Sequence, residues 1–196
     1  LYGRNSLNEI ISRTAKEIFI PLTVGGGIKD IDDVSTILRS GADKVAINSQ
    51  GLRDIKFIKD AVRSYGSQAI IGSVVAREFR YSWEAFLDNA KHRSGVDAID
   101  WAKSLEDAGV GEIMVTSIDR DGRMKGFDCK LIKTITESTK IPIIASGGAG
   151  NASDISSMID KTNCDAVAIS SLLHYKHTSI EKLKDSLSKE GIQIRR

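Results

Sequence analysis

Two short stretches carry residues suited to holding an anion. SGGAG, Ser146 to Gly150, ends the run IPIIASGGAG, and Gly25-Gly26-Gly27 ends IPLTVGGG. Glycine has no Cβ, so backbone N–H groups there can approach a ligand closely. A helix starting just afterwards adds unpaired N–H groups and a partial positive charge. Phosphate suits that combination. In both places a small polar pair closes the next apolar run: Asn48-Ser49 in one, Ser170-Ser171 in the other. Such side chains can add donors. A lone glycine pair is weak evidence, because it also makes plain strand-to-helix turns. Here, however, Ile20 to Ser49 aligns with Ile141 to Ser171, with one extra residue near Asn163. A repeat of that length marks a duplicated architecture. Two copies predict two phosphates on opposite sides of one mouth.

The next candidates are acidic. TSIDRDG, Thr116 to Gly122, places Asp119 and Asp121 just past an apolar strand. Carboxylates there can orient a polar substrate or move protons. The same letters fit a simple Asp-Gly turn. Asp43-Lys44 opens a strand instead, at the opposite mouth, where an ion pair more often serves stability. His92 sits in a charged loop and reads as solvated. His174 and His177 have no acid or cysteine spaced as a metal or triad partner. Cys129 and Cys164 make neither a metal spacing nor a disulfide framework. No metal and no cofactor is expected.

The elements that must position these residues alternate. A first helix around Leu7 to Glu17 is followed by strands at Ile20–Val24, Lys44–Asn48, Gln68–Val75, Glu112–Ile118, Ile141–Ala145 and Ala166–Ile169. Helices separate them, one of about Leu52 to Ser64 and a last one at Ile180–Lys189. Gln68–Val75 is almost continuously apolar, as in a parallel strand covered on both faces. Such alternation means βαβ units and a parallel sheet. With ligand-type residues at the strand C-termini, the pattern predicts an α/β fold of the (β/α)8 TIM-barrel class rather than an open sheet. One domain spans 1–196, with a loop or hairpin insertion at about 76–95, where REFRYSWEAF is too long for an ordinary βα loop. Only six barrel strands are visible. The chain opens at Leu1 without a Met, so two strands are expected ahead of it.

The net charge is +2, with 28 Lys and Arg spread along the chain. That argues against nucleic acid as a partner. No apolar run reaches membrane-spanning length, and no signal peptide is visible. A soluble cytoplasmic protein is expected.

PLTVGGGI, GADKVAINS, YGSQAI, GEIMVTSIDRDG with RMKGFD, and IPIIASGGAG together resemble the cyclase subunit of imidazole glycerol phosphate synthase, HisF. The related isomerase shares both phosphate motifs, but SIDRDG followed by GFD is more similar to the cyclase. The resemblance implies a HisA/HisF-type barrel and a substrate with a phosphate at each end. That substrate is the phosphoribulosyl-formimino intermediate of histidine biosynthesis. It also implies ammonia from a glutaminase subunit docked on the N-terminal face. By motif position, Gly27, Asn48 and Ser49 would hold one phosphate. Gly147, Gly148, Ser170 and Ser171 would hold the other. Asp119 and Asp121 would line the substrate site, with Thr116 and Ser146 nearby. Asp43 would face the glutaminase, and Lys44 would belong to a charged gate at the barrel base.

Two positions depart from the family pattern, and the first of them, a first-strand aspartate, has no counterpart in this sequence because that strand is not in it. The family uses a first-strand and a fifth-strand aspartate as its acid–base pair, and Val75 stands in the fifth-strand position. Arg77 fills the place of a nearby basic residue. These departures leave two further readings open. One is a paralogue working with a glutaminase on a sugar of surface-polysaccharide synthesis. The other is a phosphate-binding barrel without catalysis.

Overall fold

The computed structural model describes residues 4–195. Helix α1 (Arg4–Glu17) leads into β1 (Thr23–Gly25), α2 (Ile31–Arg39), β2 (Lys44–Ile47), α3 (Ser49–Arg53) and α4 (Ile55–Tyr65). A 3-10 turn precedes β3 (Ile70–Phe79), which runs into a hairpin of β4 (Ser82–Leu87) and β5 (His92–Asp97). Then come α5 (Ala98–Asp107), β6 (Glu112–Ser117), α6 (Cys129–Ser138), β7 (Ile143–Ser146), α7 (Ala152–Thr162), β8 (Ala166–Ala168), α8 (Ser171–His174) and α9 (Ile180–Lys189). The strands expected ahead of Leu1 lie outside the described residues.

Six strands are parallel neighbours in the order β1-β2-β3-β6-β7-β8. Every crossover therefore moves the chain in one direction along the sheet. Right-handed crossovers wound in one direction leave the helices on one face only, which is the winding of a (β/α)8 barrel. Among the described residues β1 and β8 do not pair, so the sheet is open between them. No helix among the described residues is long and apolar enough to cross a membrane.

Residue parity assigns the two faces. A Cβ on Gly72 would strike Leu105 of α5, so the even positions of β3 face the helices. Ile70, Val74 and Ala76 are fully buried there, with Leu105, Ile113 and Ile143. Ile71, Ser73, Val75 and Arg77 point to the concave face. The helix expected over Leu52 to Ser64 is two helices. Asp54 breaks it, because its carboxylate accepts from Lys56 N–H and caps α4. The segment at 76–95 forms the antiparallel hairpin, with β4 paired to the end of β3. Glu84 fixes it from inside by taking Arg93 Nε at 2.9 Å and Gly95 N–H at 2.9 Å.

The duplication reaches hydrogen-bond detail. In the first unit Asp30 accepts from Asp33 N–H, and Asp33 accepts from Lys29 N–H. In the second, Asn151 accepts from Asp154 N–H, and Asp154 accepts from Gly150 N–H. These reciprocal caps start α2 and α7 at the same distance from each glycine turn. At the other mouth, Asp43 accepts from Leu22 N–H at 2.7 Å and Asp165 from Ile143 N–H at 2.8 Å. Removing Asp165 strips Ile143, a buried residue, of that acceptor. Asp165→Ala should lower stability by about 1–2 kcal/mol in urea unfolding, and an unchanged midpoint would show the clamp to be idle.

Candidate functional site

Strand register brings the predicted residues to one end of the sheet. Val75 pairs with Thr116, Thr116 with Ser146, and Ser146 with Ala168. All four lie in one row on the concave face. Ser73 lies one step below them, buried, and was not singled out by the sequence. Above the row come the glycine turns.

At the second turn Gly147 and Gly148 adopt φ of 86° and 111°. The segment after β6 lies over them, with Gly126 N–H donating to Gly148 O at 2.8 Å. Ser146, Gly147, Gly148, Ser170, Ser171 and Asp121 share the lining of a cavity of about 80 Å³. Its walls are mainly backbone, hydroxyl and small side chains, the chemistry of an anion cradle. A larger groove of about 460 Å³ runs between α7, β8 and α9. Its lining is largely aliphatic and contains none of the turn glycines.

The first turn also has two positive-φ glycines, with Gly26 at φ 100° and Gly27 at 71°. Both are exposed, and a Cβ on either would meet nothing within 4 Å. Its polar pair is already engaged. Asn48 Nδ2 donates to Phe86 O at 3.0 Å, and Ser49 Oγ accepts from Asp88 N–H at 2.9 Å. Asn48 Oδ1 is buried with no partner.

The two aspartates of SIDRDG separate in role. Asp119 accepts from Glu78 N–H at 2.9 Å and lies 3.7 Å from Arg77 Nε, so it holds the root of the hairpin. Arg77 also lies over the Phe86 ring, 5.2 Å from its centroid. Asp121 is exposed and reaches the second cradle. Of the two, Asp121 is the carboxylate available to a ligand in that cavity.

At the opposite mouth Lys44 pairs with Glu112, not with its neighbour Asp43. Both charges sit on the concave face at the foot of their strands, side by side across β3. Glu112 was missed by the sequence reading. Its signal was a charged residue opening an otherwise apolar strand at an inward position. Asp43 is exposed, and its carboxylate is used by Leu22 N–H.

A sequence family described as "Histidine biosynthesis protein" matches residues 1–179. The imidazole glycerol phosphate synthase subunit HisF of Clostridium botulinum strain Langeland is 41% identical over 195 residues, covering 98% of this chain and 77% of that protein. The HisF subunit of Alkaliphilus metalliredigens is also 41% identical, over 194 residues, with the same coverage. With the match covering nearly the whole chain, the chain belongs to the histidine biosynthesis protein family and, within it, to the HisF subunits of imidazole glycerol phosphate synthase.

Proposed function

We propose that the chain is an ammonia-using cyclase that holds a substrate phosphorylated at both ends. One phosphate sits at Gly27, Asn48 and Ser49, the other at Gly147, Gly148, Ser170 and Ser171. The reacting atoms lie between them, over Val75, Thr116 and Ser146, with Asp121 at the rim. The substrate is the phosphoribulosyl-formimino intermediate, and the products are imidazole glycerol phosphate and aminoimidazole carboxamide ribotide. A glutaminase subunit docks on the N-terminal face near Asp43, and ammonia enters past Lys44 and Glu112. The setting is the cytoplasm. The observation that carries this reading is the pair of positive-φ glycine turns with matched polar pairs at the same end of one sheet.

A second reading rests on Val75, which cannot transfer a proton. A paralogue with the same two cradles would add glutaminase-derived nitrogen to another phosphorylated sugar derivative. A single-turnover assay with the formimino intermediate and ammonium chloride, without glutaminase, separates the two. Imidazole glycerol phosphate should form. Binding of the intermediate with no product at saturating ammonium would reject the first reading in favour of the second.

A further inference from the structure

The two cradles differ in what their polar pairs touch. Ser170 and Ser171 line open space, while Asn48 is bound by Phe86 near the end of β4 and Ser49 by Asp88 at the tip of the hairpin. The tip also brings an anion. The Asp88 carboxylate accepts from Arg53 Nη2 at 2.8 and 2.6 Å. Arg53 follows Ser49 by four residues in α3, which places both on one side of that helix. Gly25 pairs with Ala46, so the glycine turn and Asn48-Ser49 are neighbours at the ends of adjacent strands. A carboxylate of the protein's own thus stands beside the first cradle.

Three features make this contact replaceable. The ion pair is exposed, with 48% of the Arg53 and 38% of the Asp88 side chain in solvent, and exposed pairs are weak. Asp88, Asn89 and Ala90 all have positive φ, of 51°, 56° and 63°. For alanine that conformation is strained. Asn48 is also left with a buried, unpartnered Oδ1 in this arrangement. A phosphate offers the guanidinium fork more charge and the same geometry as the carboxylate it would replace.

We propose that Arg53 is a third anion-reading side chain of the first cradle, and that Asp88 holds its place until a phosphate displaces the hairpin tip. The proposal rests on the two-phosphate reading above. It makes the first site gated and the second permanently open. It also ties the hairpin, which pairs with the end of β3 just past Val75, to occupancy of the first site.

The test is calorimetric titration of the whole chain with inorganic phosphate, comparing wild type, Asp88→Asn and Arg53→Gln. Asp88→Asn should tighten one of two binding events by about fivefold, the most an exposed pair is worth, and leave the other unchanged. Arg53→Gln should weaken that same event. One event in wild type and two in Asp88→Asn would uphold the gate while removing the two-phosphate reading for the resting chain. Identical numbers and affinities in wild type and Asp88→Asn would overturn the proposal, whatever the wild-type count says of the two-phosphate reading. In unmodified protein, phosphate should also speed hydrogen exchange of the Asp88 amide, which now donates to Ser49 Oγ. Unchanged or greater protection at saturating phosphate would overturn the proposal without any variant.

Discussion

Val75→Asp should raise the single-turnover rate of cyclisation by at least about 10²-fold, the lower end of what a positioned general acid or base contributes. The position is right for it. Val75 is half-buried on the concave face, in one row with Thr116 and Ser146, below the glycine turns. A carboxylate there would stand beside the Thr116 hydroxyl. Partial burial disfavours the ionised form of a carboxyl group there, and a carboxyl group so placed can take and return a proton. Arg77, on the same face and two residues further on, is held by Asp119 and Phe86. Asp119 and the Phe86 ring therefore compete with the new carboxylate for the Arg77 guanidinium, through contacts that are themselves weak because they are exposed. The control is Val75→Asn, which matches aspartate in size and polarity but transfers no proton. Equal gains from aspartate and asparagine would show that the site needed polarity or space rather than an acid. Wild type already turning over as fast as Val75→Asp would show that the chemistry runs through other groups.

The same row shows how far the sequence could be read. Periodicity and the glycine punctuation were enough for the parallel winding, because each βα unit states its own start and stop. Asp30 and Asn151 sit where an N-cap must sit, and the structure uses both. The repeat made the two glycine turns and their caps legible, since matched letters at matched spacing imply matched local structure. Partner choice was not legible. Lys44 could be placed at the base of the sheet, but its pairing with Glu112, 68 residues away, follows from strand register. Register across parallel strands is set by packing of the whole sheet and leaves no local mark. Asp119 shows the same limit. Its spacing with Asp121 suggested a shared task, yet the turn points one carboxylate at the hairpin and the other at the cavity. Nothing near Asn48 or Ser49 in the chain announces Asp88, because the contact depends on where a hairpin 39 residues later comes to rest.

Gly148→Ala should be far more damaging than Gly27→Ala, although the repeat aligns the two residues. An added Cβ at Gly148 would lie 2.3 Å from Gly126 O and 2.9 Å from Gly126 C, both backbone atoms. No side-chain rotation can relieve that contact. The φ of 111° is also one that alanine rarely adopts. Backbone strain and overpacking each cost ~1–3 kcal/mol, so a loss of ~3 kcal/mol in urea unfolding is expected. The overlying segment must lift to make room, and it carries Met124 and Asp121 of the cavity wall with it. Phosphate binding at this cradle should therefore weaken by more than about tenfold, which needs a loss of only ~1.4 kcal/mol. Gly27→Ala meets nothing within 4 Å. It pays only the left-handed penalty of ~1–2 kcal/mol, and it leaves the second cradle untouched. Equal destabilisation by the two substitutions would mean that the segment over Gly148 is loose enough to accept a methyl group. The second cradle would then owe its shape to the turn alone, not to the Gly126–Gly148 contact that now closes it.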